Sequence, residues 1–285
     1  MKRIIIKIAR NTVIISAALI LVAVGINAGD NRGNIRESFM GRLITGGDEK
    51  DCPEGMALVD SPKGLFCMDI YEASAGEKCP VNSPRNNAET QVDLNERECF
   101  PVSVKNARPW TYISQTQAIE ACAKAGKRLA TNEEWYYAAL GTPGTQGGAN
   151  PDDCQISSNW DDQPGGTGSG ANCVSSSGVY DMIGNVWEWV SGTADNGRYE
   201  GRDLPAQGYV LGVDEAGLAV TTGENQEGSL DNDYFWIKKS GIRSIARGGY
   251  WDNEDRAGKY AAYLVSETSF NGTAVGFRCA SSIRK

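Results

Sequence analysis

Eight cysteines, all beyond residue 51, constrain this 285-residue chain more than any other feature of its sequence. They are Cys52, Cys67, Cys79, Cys99, Cys122, Cys154, Cys173 and Cys279. An even count in an exported chain reads as a disulfide framework. No Cys-x-x-Cys pair is present to support a zinc ribbon. Export is read from the other end of the chain. Lys2, Arg3, Lys7 and Arg10 form a positive flank, and Thr12 to Ile26 then runs fifteen residues without a charge. That length suits a signal-peptide core and falls short of the roughly 20 residues of a comfortable membrane span. Small residues at Ala23, Gly25 and Ala28 permit cleavage. Residues 1–28 are therefore read as a signal peptide or an N-terminal membrane anchor, both open, and the body as secreted or held at the cell surface. An anchor would make the membrane a partner through this segment alone. No cysteine precedes Cys52, so a lipid anchor on an N-terminal cysteine is not available.

Composition excludes several function classes. Histidine is absent, which removes Ser-His-Asp and Cys-His nucleophilic arrangements, an imidazole base and imidazole-built zinc or copper sites. A formal charge of −8 argues against a nucleic-acid partner, whose phosphates call for a basic face. Forty per cent hydrophobic residues and seven tryptophans are enough to fill a sizeable core.

Residues 29–51 are polar, glycine-containing and aperiodic, and read as a linker. A domain is expected over 52–285. Cys52-Pro-Glu-Gly-Met-Ala-Leu-Val alternates like a strand, Pro62-Lys-Gly turns, and Leu65-Phe-Cys-Met-Asp-Ile-Tyr returns, so that Cys52 and Cys67 face each other across a hairpin. Ser114-Gln-Thr-Gln and Thr131-Asn-Glu-Glu are capping boxes, each opening a helix. Ala118, Cys122 and Ala125 share one face of the first, with Gly126 as its stop; Trp135, Ala138 and Ala139 mark the second. Gly141–Gly178 and Ala194–Asp231 read as long polar loops, the first stapled by Cys154 and Cys173. The last third, from Ser244 to Ala280, alternates as strand-loop-strand.

Four segments in order resemble the formylglycine-generating-enzyme (sulfatase-modifying factor) family. They are Pro53-Glu-Gly-Met with Phe66-Cys-Met-Asp, Ala125-Gly-Lys-Arg-Leu-Ala-Thr-Asn-Glu-Glu-Trp, Tyr180-Asp-Met-Ile-Gly-Asn-Val-Trp-Glu-Trp, and Arg247-Gly-Gly-Tyr-Trp with Gly276-Phe-Arg-Cys. The resemblance implies an α+β variant C-type-lectin fold of few short strands, two helices and long disulfide-stapled loops. It implies a structural calcium ion on the side chains of Asn185 and Glu188 and the backbone oxygens of Gly184 and Val186, since oxygens on a turn suit a hard cation. A second calcium site would begin at Asn159. It also implies a Cys122–Cys279 bridge between the first helix and the last strand, which leaves Cys79–Cys99 by elimination and proximity. Arg247 and Arg278, beside glycines, read as buried arginines bonded to loop carbonyls.

The sequence departs from the family where the active enzymes carry two copper-binding cysteines. Those positions fall on Asn253 and Gly258, and neither supplies the thiolate that Cu(I) prefers, so no copper and no catalytic residue are expected. In their place stands Trp251-Asp-Asn-Glu-Asp-Arg-Ala-Gly-Lys-Tyr-Ala-Ala-Tyr, with Phe270-Asn-Gly further on. Aromatics mixed with short polar groups make an adaptable binding surface. The candidate ligand-binding residues are Trp251, Asp252, Asn253, Glu254, Asp255, Arg256, Tyr260, Tyr263, Phe270 and Asn271. Lectin-fold domains of this branch also serve as variable proteins of diversity-generating retroelements, and Asp252, Asn253, Asp255, Tyr260, Tyr263 and Asn271 are reachable from Asn codons by adenine changes. The expected function is a non-catalytic binder of a protein or glycan. The alternative is a divergent oxidoreductase of the family using carboxylates such as Asp252, Glu254 and Asp255.

Overall fold

The computed structural model describes residues 52–144, 150, 152–157 and 163–283. The expected signal or anchor segment, the linker 29–51 and Asn159 lie outside the described residues. Among the described residues no helix is long and apolar enough to cross a membrane.

The opening hairpin forms where the alternation places it. β1 (Met56–Val59) pairs antiparallel with β2 (Phe66–Asp69), with Leu58 opposite Cys67. Ser61 and Gly64 close the turn, the Gly64 amide donating to the Ser61 carbonyl at 2.8 Å. With β5 (Arg128–Leu129) and β15 (Cys279–Ser282) this makes a four-stranded sheet in the order β1-β2-β15-β5. β3 (Ser74–Ala75) and β4 (Pro101–Val102) form a separate pair.

The expectation of few strands is corrected by a nine-stranded sheet. It contains β6 (Trp187–Asp195), β7 (Arg198–Tyr199), β8 (Arg202–Asp203), β9 (Gly208–Val213), β10 (Ala219–Gly223), β11 (Tyr234–Ile237), β12 (Ile242–Gly248), β13 (Gly258–Leu264) and β14 (Val275–Phe277). Its order is β10-β9-β11-β13-β12-β6-β7-β8, with β14 parallel to β6. Much of the span 194–231 that reads as loop is therefore strand. Its glycines and polar residues belong to short, partly exposed strands such as β9 and β10, where polarity and strand structure coexist.

Both expected helices are present, α2 (Gln115–Lys124) and α3 (Asn132–Ala139), and each has its reciprocal capping box. A further helix, α1 (Asn87–Asn95), precedes them. It escapes the periodicity because its buried residues are Thr90, Asp93 and Leu94, only one of them apolar. Its start is set by Asn86, whose side-chain oxygen accepts the Glu89 amide at 3.0 Å.

Two large hydrophobic cores and a smaller cluster around Cys154–Cys173 pack on this scaffold. One gathers Trp135, Val190, Phe235 and Leu264, and the other Trp110, Trp189, Phe277 and the Cys122–Cys279 bridge. Every cysteine is bonded: Cys52–Cys67, Cys79–Cys99, Cys122–Cys279 and Cys154–Cys173. Cys122–Cys279 ties α2 to β15 across a sequence separation of 157. Chain entropy alone assigns a closure of that length about 4–5 kcal/mol. Four bridges fit an oxidising compartment outside the cytoplasm.

Candidate functional site

The segment Tyr180–Trp189 leads into β6 through a turn whose backbone is left-handed at Asp181, Gly184 and Asn185. Gly184 is required, since a Cβ there would overlap the Gln155 carbonyl. The turn closes over a buried charge cluster. Arg278 lies inside it, fully buried, and grips Glu188 with a fork: Nε donates to Oε2 at 2.7 Å and Nη2 to Oε1 at 2.5 Å. The same guanidinium donates to the carbonyls of Asp69, Ile70 and Tyr180. Trp135 Nε1 adds a bond to Glu188 Oε2 at 2.6 Å. Arg247 is likewise buried and bonded to the carbonyls of Ala261, Gly217 and Lys259.

These bonds bear on the expected calcium ligands. Glu188 has both oxygens committed to Arg278 and Trp135. Asn185 Oδ1 accepts the Gly165 amide at 2.9 Å, and its Nδ2 donates to Glu72 Oε2 at 2.6 Å. Within this cluster the oxygen left without a partner belongs to Asp181, whose Oδ2 accepts the Gly168 amide while Oδ1 accepts nothing. Burial pushes the Asp181 carboxyl up to about 7 against the pull of that amide and of Arg278. Burial, and then the charges of Asp181 and Glu188, hold Glu72 well above the usual carboxylate range. The cluster thus holds three buried carboxylates against one guanidinium. Asp181 Oδ1 is thus the one carboxylate oxygen of the cluster without a hydrogen bond. Sequence reasoning passed over both Asp181 and Glu72. The signal for Asp181 was its place at the head of the same motif; Glu72 had none.

The β12–β13 hairpin carries the expected binding loop. Its tip, from Gly249 to Ala257, is docked rather than free. The Trp251 amide donates to the Asn185 carbonyl at 3.2 Å, and the Glu254 amide to the Ile156 carbonyl at 2.7 Å. Asp252 and Glu254 are exposed, and Trp251, Asp255 and Arg256 half-buried. Asp255 accepts from Gln226 Nε2 at 2.5 Å. The Arg256 guanidinium lies over the Trp236 ring, 6.0 Å from its centre.

Four candidate residues are turned inward or lie away from the loop tip. Asn253 is buried, and its side-chain oxygen accepts the Tyr250 amide at 3.0 Å, so it shapes the loop. Tyr260 packs on Tyr136 and belongs to the first core, because it stands three positions from Tyr263 on β13 and side chains alternate between faces. Phe270 meets Trp189 edge-on at 6.5 Å, away from the loop tip in sequence and exposed; beside it, Asn271 is half-buried. At the positions aligned with the family's cysteine pair, Asn253 is committed as described. A Cβ on Gly258 would overlap the buried Asp233 carboxylate.

The structure adds residues that sequence reasoning missed. β11 and β13 run parallel with Trp236 beside Tyr263. From there a row of rings crosses the sheet: Tyr263–Trp187 at 5.7 Å, Trp187–Trp236 at 5.5 Å, Trp236–Tyr234 at 4.7 Å and Tyr234–Tyr209 at 5.1 Å. Tyr209, Tyr234, Trp236 and Tyr263 are all half-buried, while Phe235 between them points into the first core.

Comparison with known proteins decides the lineage. Residues 65–283 match the sulfatase-modifying factor enzyme 1-like domain. The chain belongs to that family. Over 99 residues it is 34% identical to the inactive C-alpha-formylglycine-generating enzyme 2 of Bos taurus, covering 29% of this chain and 32% of that protein. The chain thus spans about a third of the length of this curated relative. Among solved structures, the Major Tropism Determinant P3c variant aligns over 81% of this chain and 53% of its own, at 19% identity and a TM-score of 0.44. Treponema denticola variable protein 1 aligns over 81% of this chain and all of its own, at 15% identity and a TM-score of 0.40.

Proposed function

We propose that this protein is a non-catalytic binder that captures a protein or glycan on the aromatic face of its large sheet, beside the Trp251–Arg256 loop. The observation that carries this reading is the ring row from Tyr263 to Tyr209, in which Tyr209, Tyr234, Trp236 and Tyr263 stay partly exposed while Trp187 anchors the row in the second core. Rigid rings supply contact area at little entropic cost. The exposed Asp252 and Glu254 supply acceptors for hydroxyls or cationic groups at the rim. Every thiol in the chain is engaged in a disulfide, which leaves no cysteine for copper-dependent oxidation of a substrate thiol.

Calcium is the cofactor of this reading. Asp181 and the backbone oxygens of Gly184 and Val186 would hold it, neutralising the excess of buried negative charge. A diversified binder is also consistent. Asp252, Asp255 and Tyr263, all reachable from Asn codons, sit on or beside this face, whereas Asn253 and Tyr260 do not.

The test is a panel of immobilised glycans and cell-surface proteins probed with the wild-type chain and with Trp236→Ala and Tyr263→Ala. Selective capture that both substitutions weaken, while the variants stay folded, is the expected result. Capture indifferent to both would overturn the site. Conversion of a sulfatase-type cysteine peptide to its aldehyde, read by mass spectrometry, would overturn the non-catalytic reading. A reverse transcriptase and template repeat beside the gene would mark the binder as diversified.

A further inference from the structure

The Cys79–Cys99 bridge differs from the other three in its surroundings. It closes the segment that carries α1, and the α1 residue Asp93 reaches back to it. A carboxylate oxygen of Asp93 and the two sulfurs lie within 4.8 Å of one another. Asp93 is fully buried; its Oδ1 accepts the Val81 amide at 2.8 Å, and its Oδ2 has no hydrogen-bond partner. A buried carboxylate oxygen left unpaired is costly to keep ionised, yet this carboxyl group is placed where protons are exchanged whenever the disulfide opens. The bridge itself lies just below the surface. Cys79 is 6% exposed and Cys99 1%, and exposed Lys78 and Pro80 flank the former while exposed Glu98 and Phe100 flank the latter.

We infer that Cys79–Cys99 is an exchangeable disulfide, opened by an external dithiol with Asp93 as the proton donor and acceptor. One thiol of the reagent ionises, releasing its proton to solvent, and its thiolate attacks Sγ of Cys79, the more exposed residue of the pair. The S–S bond breaks, the electron pair leaves on Cys99 Sγ, and the Asp93 carboxylic acid protonates that thiolate. The reagent's second thiol gives its proton to the Asp93 carboxylate and attacks the mixed disulfide at the reagent's own sulfur. Cys79 leaves as thiolate and takes a proton from solvent. The reagent ends as a disulfide, the protein as a dithiol, and Asp93 as it began.

The groups around Asp93 suit this cycle. Burial raises its carboxyl above the usual carboxylate range, and the negative charge of Glu89 on the same helix acts in the same direction. The Val81 amide and the Lys124 ammonium pull the other way. Lys124 reaches over from α2 to bond the carbonyls of Leu94 and Glu96 at 2.6 and 2.7 Å, so its charge is spent mainly on the end of α1. The acid form therefore persists to higher pH than for a free aspartate, where it can protonate the leaving sulfur.

The experiment exposes the folded, oxidised chain to dithiothreitol from the ordinary carboxylate pKa upward, about pH 4 to pH 8. Free thiols are alkylated at intervals and each pair is followed by peptide mass spectrometry. Cys154–Cys173 is the matched control, at 7% and 0% exposure. Cys79–Cys99 is expected to open faster than the control, and Asp93→Asn to slow it about tenfold or more while leaving the other three pairs unchanged. Corrected for reagent ionisation, the wild-type rate is expected to fall as pH rises through the Asp93 titration, and the Asp93→Asn rate to stay flat. A wild-type bridge that opens no faster than Cys154–Cys173, or shows no such fall, overturns the proposal without recourse to any variant. An Asp93→Asn protein that keeps its fold and the wild-type rate overturns it equally.

Discussion

The charge cluster around Arg278 and the ring row around Trp236 lie on the same β6–β12–β13 framework and follow opposite rules. In the cluster Glu188, Asp181, Glu72 and Arg278 are sealed from water, and nearly every polar atom is matched to a named donor or acceptor. In the row, the rings touch one another, and all but Trp187 keep part of their surface exposed. The first region carries the residues that define the family and does the work of holding the fold. Apart from Trp187, the second carries residues outside any motif, and it is where binding is proposed. A recognisable motif and a binding site need not coincide.

The comparison breaks most visibly at Arg278. Removing it in Arg278→Met leaves Glu188 buried without its counter-charge, and such losses cost about 3–5 kcal/mol. The midpoint of chemical denaturation should drop accordingly, and an unchanged midpoint would show that the cluster is not what holds the fold.

Asp181 sharpens the same point through pH. Its carboxyl is raised to about 7 in the folded chain, whereas an unfolded aspartate titrates near about 3.9. The folded state therefore keeps a proton that the unfolded state gives up. Stability contributed by this group is full at acid pH, declines as pH rises past the unfolded value, and is lost once pH passes about 7. The shift is worth on the order of 4 kcal/mol. In chelator, Asp181→Asn should flatten that decline; an identical slope in the variant would remove Asp181 from the account.

Calcium is expected to act on the wild-type chain in the same pH range. At a hundred times its Kd a ligand adds about 2.7 kcal/mol, several degrees in Tm, and the gain should vanish in Asp181→Asn. A melting curve indifferent to both chelator and calcium would leave the cluster a purely internal ion network.

The smallest stability effect is expected on the open face. Trp236→Ala should move the denaturation midpoint less than Arg278→Met does, and yet weaken ligand capture by at least about tenfold, as central aromatic anchors do. A variant that loses more stability than Arg278→Met would place Trp236 in the core and end the contrast.

Much of the scaffold was legible because its signals are local. The two capping boxes, the Cys52–Cys67 hairpin and the buried arginines all follow from residue type and short spacing. The missed helix α1 and the strands between 194 and 231 were illegible for a common reason. Their burial is polar or partial, so no apolar period marks them. Within the candidate loop, the structure turns some of the named residues away from the expected surface. Nothing in the order of residues says that Asn253 would turn inward to bond Tyr250, whereas the opposite facing of Tyr260 and Tyr263 follows from their spacing once β13 is known to be a strand.

By itself, then, the sequence determined the framework: the cysteines, the capped helices, the absent histidines and the motif residues that assign the family. Those depend on identity and on neighbours a few positions away, which the chain carries wherever it goes. Only the tertiary structure decided which oxygen in the motif turn is left unpaired, that Asp93 stands against a disulfide, and that Tyr209, Tyr234, Trp236 and Tyr263 form one surface. Each is a meeting of residues brought together by strand register and by the packing of buried groups, and register is set by the whole sheet rather than by any one strand.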